Sequence, residues 1–108
     1  IIGFSVWNIG ELAGVLDKYE RRGVLTNAKG LFEKFTGETR LLVKLGQLKL
    51  IPLNLGVITS AVDLVFKHGI YIADAIQLAS ARGFEAFLTY DKRLAQVARI
   101  EGLNVVAW

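Results

Sequence analysis

From Ala86 to Trp108 the chain alternates strand, helix and strand. Ala86-Phe87-Leu88-Thr89-Tyr90 is an apolar strand, Lys92 to Glu101 is helical with Gly102 after it, and Leu103 to Trp108 is apolar again. A helical crossover of this kind joins parallel strands of one sheet. The rest of the chain repeats the alternation. Ile1 to Ser5 reads as the end of a buried strand, and Val6 to Arg22 as a helix with Ile9, Leu12, Leu16 and Tyr19 at helical spacing, stopped at Gly23. A second helix spans about Thr26 to Gly46. Leu48 to Leu53 reads as a strand in which Pro52 marks an edge or an end. Val57 to Lys67 and Ala73 to Arg82 are helical in pattern. The expected class is α/β with a mainly parallel sheet.

With 108 residues, of which 53% are hydrophobic, the chain suffices for one domain, taken as residues 1–108. Cys is absent, which excludes disulfides and thiolate metal sites. The apolar stretches are broken by Glu11, by Lys44 and Lys49, or by Asp63. None reaches the roughly 18 uninterrupted residues of a membrane span, so a soluble domain with no membrane partner is expected; the lack of Cys is compatible with a reducing cytoplasm, the expected location. The net charge of +3 permits an anionic partner without demanding one; the only adjacent basic pairs are Arg21–Arg22 and Lys92–Arg93. There is no Met, and the chain opens on Ile1-Ile2-Gly3-Phe4. The expectation is that the sequence is not a whole gene product.

The carboxylates separate by surroundings. Asp63 has Lys67 on the next turn, Asp17 has Arg21, and Glu38 has Lys34, which reads as solvated helix faces. Glu11 has no such partner, although a surface carboxylate is the plainer reading of it in isolation. Asp74 follows Ile70-Tyr71-Ile72-Ala73, and with Gln77 it has capping-box spacing. Asp91 directly follows a strand and opens a helix, as an N-cap does. Capping alone explains each Asp, but a cap is not barred from being a ligand. Ligands of open parallel sheets bind outside the carboxyl ends of the strands, and all three acids fall at that edge. Carboxylates gathered there repel unless a cation neutralises them, and oxygen-only donors suit Mg²⁺ or Mn²⁺. The matching chemistry is metal-assisted phosphodiester hydrolysis. His68, the only His, reads as structural at a helix end. No Gly-rich phosphate loop is present. Trp7, Tyr19, Tyr71 and Tyr90 are spaced as core or semi-buried aromatics and not as a stacking platform for bases.

Three blocks carry a resemblance: Ser5-Val6-Trp7-Asn8-Ile9-Gly10-Glu11-Leu12, Tyr71-Ile72-Ala73-Asp74-Ala75-Ile76-Gln77-Leu78-Ala79, and Phe87-Leu88-Thr89-Tyr90-Asp91-Lys92-Arg93-Leu94. In this order they resemble successive motifs of PIN-domain nucleases, and Leu103-Asn104-Val105-Val106 resembles the family's last strand. The helix arrangement looks most like VapC-type toxins. The resemblance implies a three-layer fold with five parallel strands in the order 3-2-1-4-5. It implies an acidic pocket formed by Glu11, Asp74 and Asp91, which would serve as catalytic and metal-binding residues, with the hydroxyls of Thr89 and Ser5 beside it. It further implies Mg²⁺- or Mn²⁺-dependent RNA cleavage, a homodimer, and inhibition by a cognate antitoxin. The family's first strand, with its own Asp, would precede Ile1. On this view the strand ending at Ser5 and the strand Ala86–Tyr90 flank the first strand and do not pair with each other. A different class remains open: a catalytically inactive PIN-like module that binds a partner or oligomerises. A phosphoryl-transfer receiver domain wants paired acids near its N-terminus and a late Lys, and neither is evident.

Overall fold

A computed structural model describes residues 2–107. The chain divides into two compact units, Ile1–Pro52 and Leu53–Trp108. The first contains β1 (Ile2–Ser5), α1 (Val6–Arg21), α2 (Ala28–Lys44) and β2 (Leu48–Ile51); the second contains α3 (Leu55–His68), α4 (Ile72–Ala81), β3 (Phe87–Thr89), α5 (Lys92–Ile100) and β4 (Val105–Ala107). The class is mixed α/β, and both strand pairs are parallel.

In the first unit β1 pairs with β2 from Ile2↔Leu48 to Ser5↔Ile51, and β2 stops immediately before Pro52, which has no N–H to offer the ladder. The Phe4 and Phe35 rings, 6.0 Å apart and tilted by 57°, fasten this sheet to α2. Ser5 ends β1 and caps α1, its Oγ accepting from Trp7 N–H at 3.2 Å. Asn27 caps α2 and Asn54 caps α3, each side-chain oxygen accepting a first-turn N–H.

The second unit is built on α3 against α4. Ala61 and Ala75 are fully buried and Leu64, Ile76 and Leu78 almost so, small residues letting larger ones interlock. On α5, Leu94, Ala95, Val97 and Ala98 form the buried stripe and the basic residues Lys92, Arg93 and Arg99 the outer face. The β3 strand pairs with β4 from Phe87↔Val105 to Thr89↔Ala107. Thus β1 is paired with β2, and β3 with β4, as the resemblance implies; the two sheets are two-stranded, and each lies within one unit. The expected strand reached Trp108, which is outside the described residues.

Charge pairing follows the sequence expectation only in part. Asp17 does pair with Arg21 at 2.9 Å, whereas no ion pair forms between Glu38 and Lys34. Lys67 turns away from Asp63 to Glu101, Nζ to Oε2 at 2.8 Å. The reason is burial: the Glu101 side chain is only 10% exposed, so a charge beside it is less screened than one on the open face of α3. His68 Nε2 lies 2.7 Å from the same oxygen. An ionised carboxylate only accepts, which places a proton on that nitrogen. Arg82 completes the cluster by donating to Glu101 Oε1 at 3.2 Å and to Ser60 Oγ at 2.7 Å. His68 is therefore structural, tying α3 to the end of α5.

Hydrogen bonds from Lys67 and then His68 hold the Glu101 carboxyl at about 2, below its ordinary 4.5. A lowered folded-state value means that this stabilisation is complete above the unfolded value and is lost as pH falls through the folded one. Thermal melts of the protein are expected to show a decline between pH 4.5 and about 2 that is smaller in Glu101→Gln. Parallel acid curves for the two proteins would deny the cluster this role.

Candidate active site

Helix α4 begins earlier than capping by Asp74 would require. Tyr71 is the N-cap residue, extended at φ −67° and ψ 148°, and its carbonyl accepts from Ala75 N–H at 3.0 Å. No side chain caps this helix, and Asp74 stands within its first turn. The expected capping role of Asp74 is thereby corrected. Without that role, a half-buried carboxylate has no structural partner among the described residues.

Asp91 does cap, and it does so with one oxygen. Its Oδ1 accepts from Arg93 N–H at 2.9 Å and from Leu94 N–H at 3.1 Å, opening α5. Oδ2 has no such bond. Thr89 Oγ1 accepts from Asp91 N–H at 3.1 Å, fixing the backbone from which the carboxylate projects. Thr89 therefore stands beside the acid, as expected, and positions it.

Asp74 and Asp91 line one cleft of about 280 Å³, with Gly69, Tyr71, Arg93 and Leu94 among its walls. Gly69 ends α3 in the left-handed region at φ 67°, donating to Val65 O at 2.8 Å; a side chain there would be strained. This sharp exit carries the chain directly into Tyr71 and α4, which brings Asp74 opposite Asp91. Burial, and secondarily the charge of Asp91, push the Asp74 carboxyl above its ordinary value. Neither acid takes part in an ion pair among the described residues. Two neighbouring carboxylates outside any ion pair, with a spare oxygen on Asp91, form a donor set that fits a hard divalent ion. No group of three or more His, Cys, Asp or Glu is disposed to hold a metal among the described residues; the observed site is a pair.

Glu11 lies in the first unit, exposed on α1, and Ser5 lies there too, buried at the cap of the same helix. The structure brings together Asp74, Asp91 and Thr89. The reading of the aromatics also needs correction. Tyr71 is 83% exposed and Tyr90 74%, because both stand where the chain turns from an extended segment into a helix and not on a packed face. Sequence reasoning missed Arg93 as a cleft residue; its signal was adjacency, two residues beyond Asp91 on the opening turn of α5.

Asp91 opens a helix directly after a parallel strand, and Asp74 stands in the first turn of the helix that follows α3, so the site is a carboxylate pair at helix starts in an α/β chain. The sequence pattern of the PIN domain matches residues 2–100, and the chain belongs to the PIN domain family. No curated protein and no solved structure matches it. PIN domains are nucleases as a class and use divalent metal ions. No helix among the described residues is long and apolar enough to cross a membrane.

Proposed function

We propose that the protein is a Mg²⁺- or Mn²⁺-dependent endoribonuclease and the toxin of a toxin–antitoxin pair, acting as a homodimer in the cytoplasm and restrained by a cognate antitoxin. The observation that supports the catalytic part is the Asp74–Asp91 pair, two carboxylates lining one cleft and engaged in no ion pair among the described residues. A divalent ion bound there supplies an activated water and offsets the charge that develops on the phosphate. The protein's own part is positional. Asp91 keeps Oδ1 on the N-terminus of α5 and presents Oδ2, Thr89 fixes the Asp91 backbone, and Asp74 contributes a carboxylate with no other engagement. Glu11 as a third acid and Ser5 as a further hydroxyl are proposed from the resemblance of the sequence blocks alone. The toxin assignment, the dimer and the antitoxin rest on the resemblance of the three sequence blocks.

The competing reading is a PIN-like module without catalysis, favoured by the absence of a three-ligand cluster among the described residues. One experiment separates the two. Single-stranded RNA incubated with the protein is expected to be cut internally in Mn²⁺ or Mg²⁺, and cutting is expected to stop when EDTA removes the ion. Cleavage that persists in EDTA would contradict the metal dependence, and none with any divalent ion would contradict the nuclease proposal.

A further inference from the structure

Arg93 shares the cleft with both carboxylates and pairs with neither. Its side chain instead sends Nη2 to the carbonyl oxygen of His68, at a long 3.4 Å. That carbonyl belongs to the last residue of α3, where unpaired main-chain oxygens carry partial negative charge. The contact uses one of five N–H donors. Its backbone N–H is meanwhile held by Asp91 Oδ1 at 2.9 Å. Acid and base are thus locked into neighbouring positions without cancelling each other, so one cleft keeps a negative half for a cation and a positive group for an anion. A planar guanidinium fork matches two oxygens of a phosphate.

The second observation is Tyr71. It lines the same cleft, sits at the start of α4 with no side-chain capping bond, and is 83% exposed. A ring that bare contributes little to folding, and next to a phosphate-binding group it offers a face on which an unstacked base can lie. Bases within a duplex are already stacked, so the arrangement suits a single strand.

We propose that Arg93 and Tyr71 form a clamp for single-stranded RNA at the mouth of the cleft. Arg93 holds a backbone phosphate beside the Asp74–Asp91 pair, and Tyr71 stacks on an adjacent base. The clamp rests on the nuclease reading of this site and goes beyond it by assigning two residues that hold substrate without being metal ligands. The test is fluorescence anisotropy of an end-labelled, mixed-sequence single-stranded RNA of about 12 nucleotides, within the roughly 4–16 nucleotides that single-strand-binding OB folds cover, with EDTA present to prevent cutting. Arg93→Gln is expected to weaken binding about tenfold and to reduce the salt dependence by about 0.7 in log–log slope, the signature of one lost phosphate contact on a single strand. Tyr71→Ala is expected to weaken binding about tenfold with the slope unchanged, and Tyr71→Phe to restore it. Arg93→Lys serves if Arg93→Gln melts early; it keeps the charge and the slope but loses the fork. Duplex RNA of the same sequence is expected to compete poorly.

Wild-type affinity and slope in the Arg93 and Tyr71 variants, or equal competition by duplex, would overturn the clamp. If the unmodified protein still cuts RNA in Mn²⁺ under that outcome, the nuclease reading survives alone. A protein that neither binds nor cuts single-stranded RNA removes both. Tyr71→Ala binding RNA normally would remove the ring from RNA contact and overturn the two-residue clamp.

Discussion

Asp74→Asn is expected to reduce metal-dependent RNA cleavage by about 10³-fold, the scale of several kcal/mol of charge stabilisation supplied by a held ion, while leaving the protein folded. Asn keeps the size of the side chain and removes the charge that a cation needs. The structure makes this substitution unusually clean, because Asp74 caps nothing and pairs with nothing among the described residues. Its carboxyl is pushed up by burial and by Asp91. A raised folded-state value for an acid means that the ionised form is disfavoured in the fold, a cost present above the folded value and gone below the unfolded one. Removing the charge at neutral pH should therefore leave the melting temperature unchanged or slightly higher. Circular dichroism melts beside a cleavage assay check both halves. A variant that cuts at the wild-type rate, or one that loses activity only by unfolding, would count against the assignment.

Leu64→Ala is expected to have the largest effect on stability, about 3 kcal/mol, within the range for deleting a buried Leu side chain. Leu64 is 2% exposed on α3, in a unit whose buried residues include Ala61, Ala75, Ile76 and Leu78. Fully buried alanines leave little slack for collapse around the lost atoms, so the cavity persists. The melting temperature should fall by roughly 10 °C or more. Denaturant titration of the purified variant measures the change, and a loss below about 1 kcal/mol, typical of a site that relaxes or is wet, would show that the α3–α4 contact does not anchor this unit.

Most of the architecture was legible because it depends on local pattern. Alternating apolar runs and helical periodicity placed every helix and strand among the described residues to within a few residues, and Pro52 and Gly69 mark the ends of β2 and α3 for steric reasons that any context preserves. Asp91 was legible for the same reason: a carboxylate between a strand and a helix is bound to meet the first free N–H groups. Asp74 was half legible. Its capping-box spacing with Gln77 is real in the sequence, but the backbone of Tyr71 takes the cap position first. Tyr71 itself reads as core because it stands in the apolar run Ile70–Ala73, and only the turn from Gly69 into α4 reveals that its ring is bare. Glu101 was not legible at all. Its partners Arg82, His68 and Lys67 lie 19, 33 and 34 residues away, and an Asp63 one turn before Lys67 offers a local pair that tertiary burial overrules. Arg93 escaped notice because a basic residue on an exposed helical face looks like solvated charge until the cleft beside it is seen.

The most direct test of the central claim is Mn²⁺ binding, followed by calorimetric titration of the metal-free protein. The account predicts saturable binding by the unmodified protein that is lost in Asp74→Asn and in Asp91→Asn, the latter still able to cap α5 through its amide oxygen. Undiminished Mn²⁺ binding in the doubly substituted protein would contradict it.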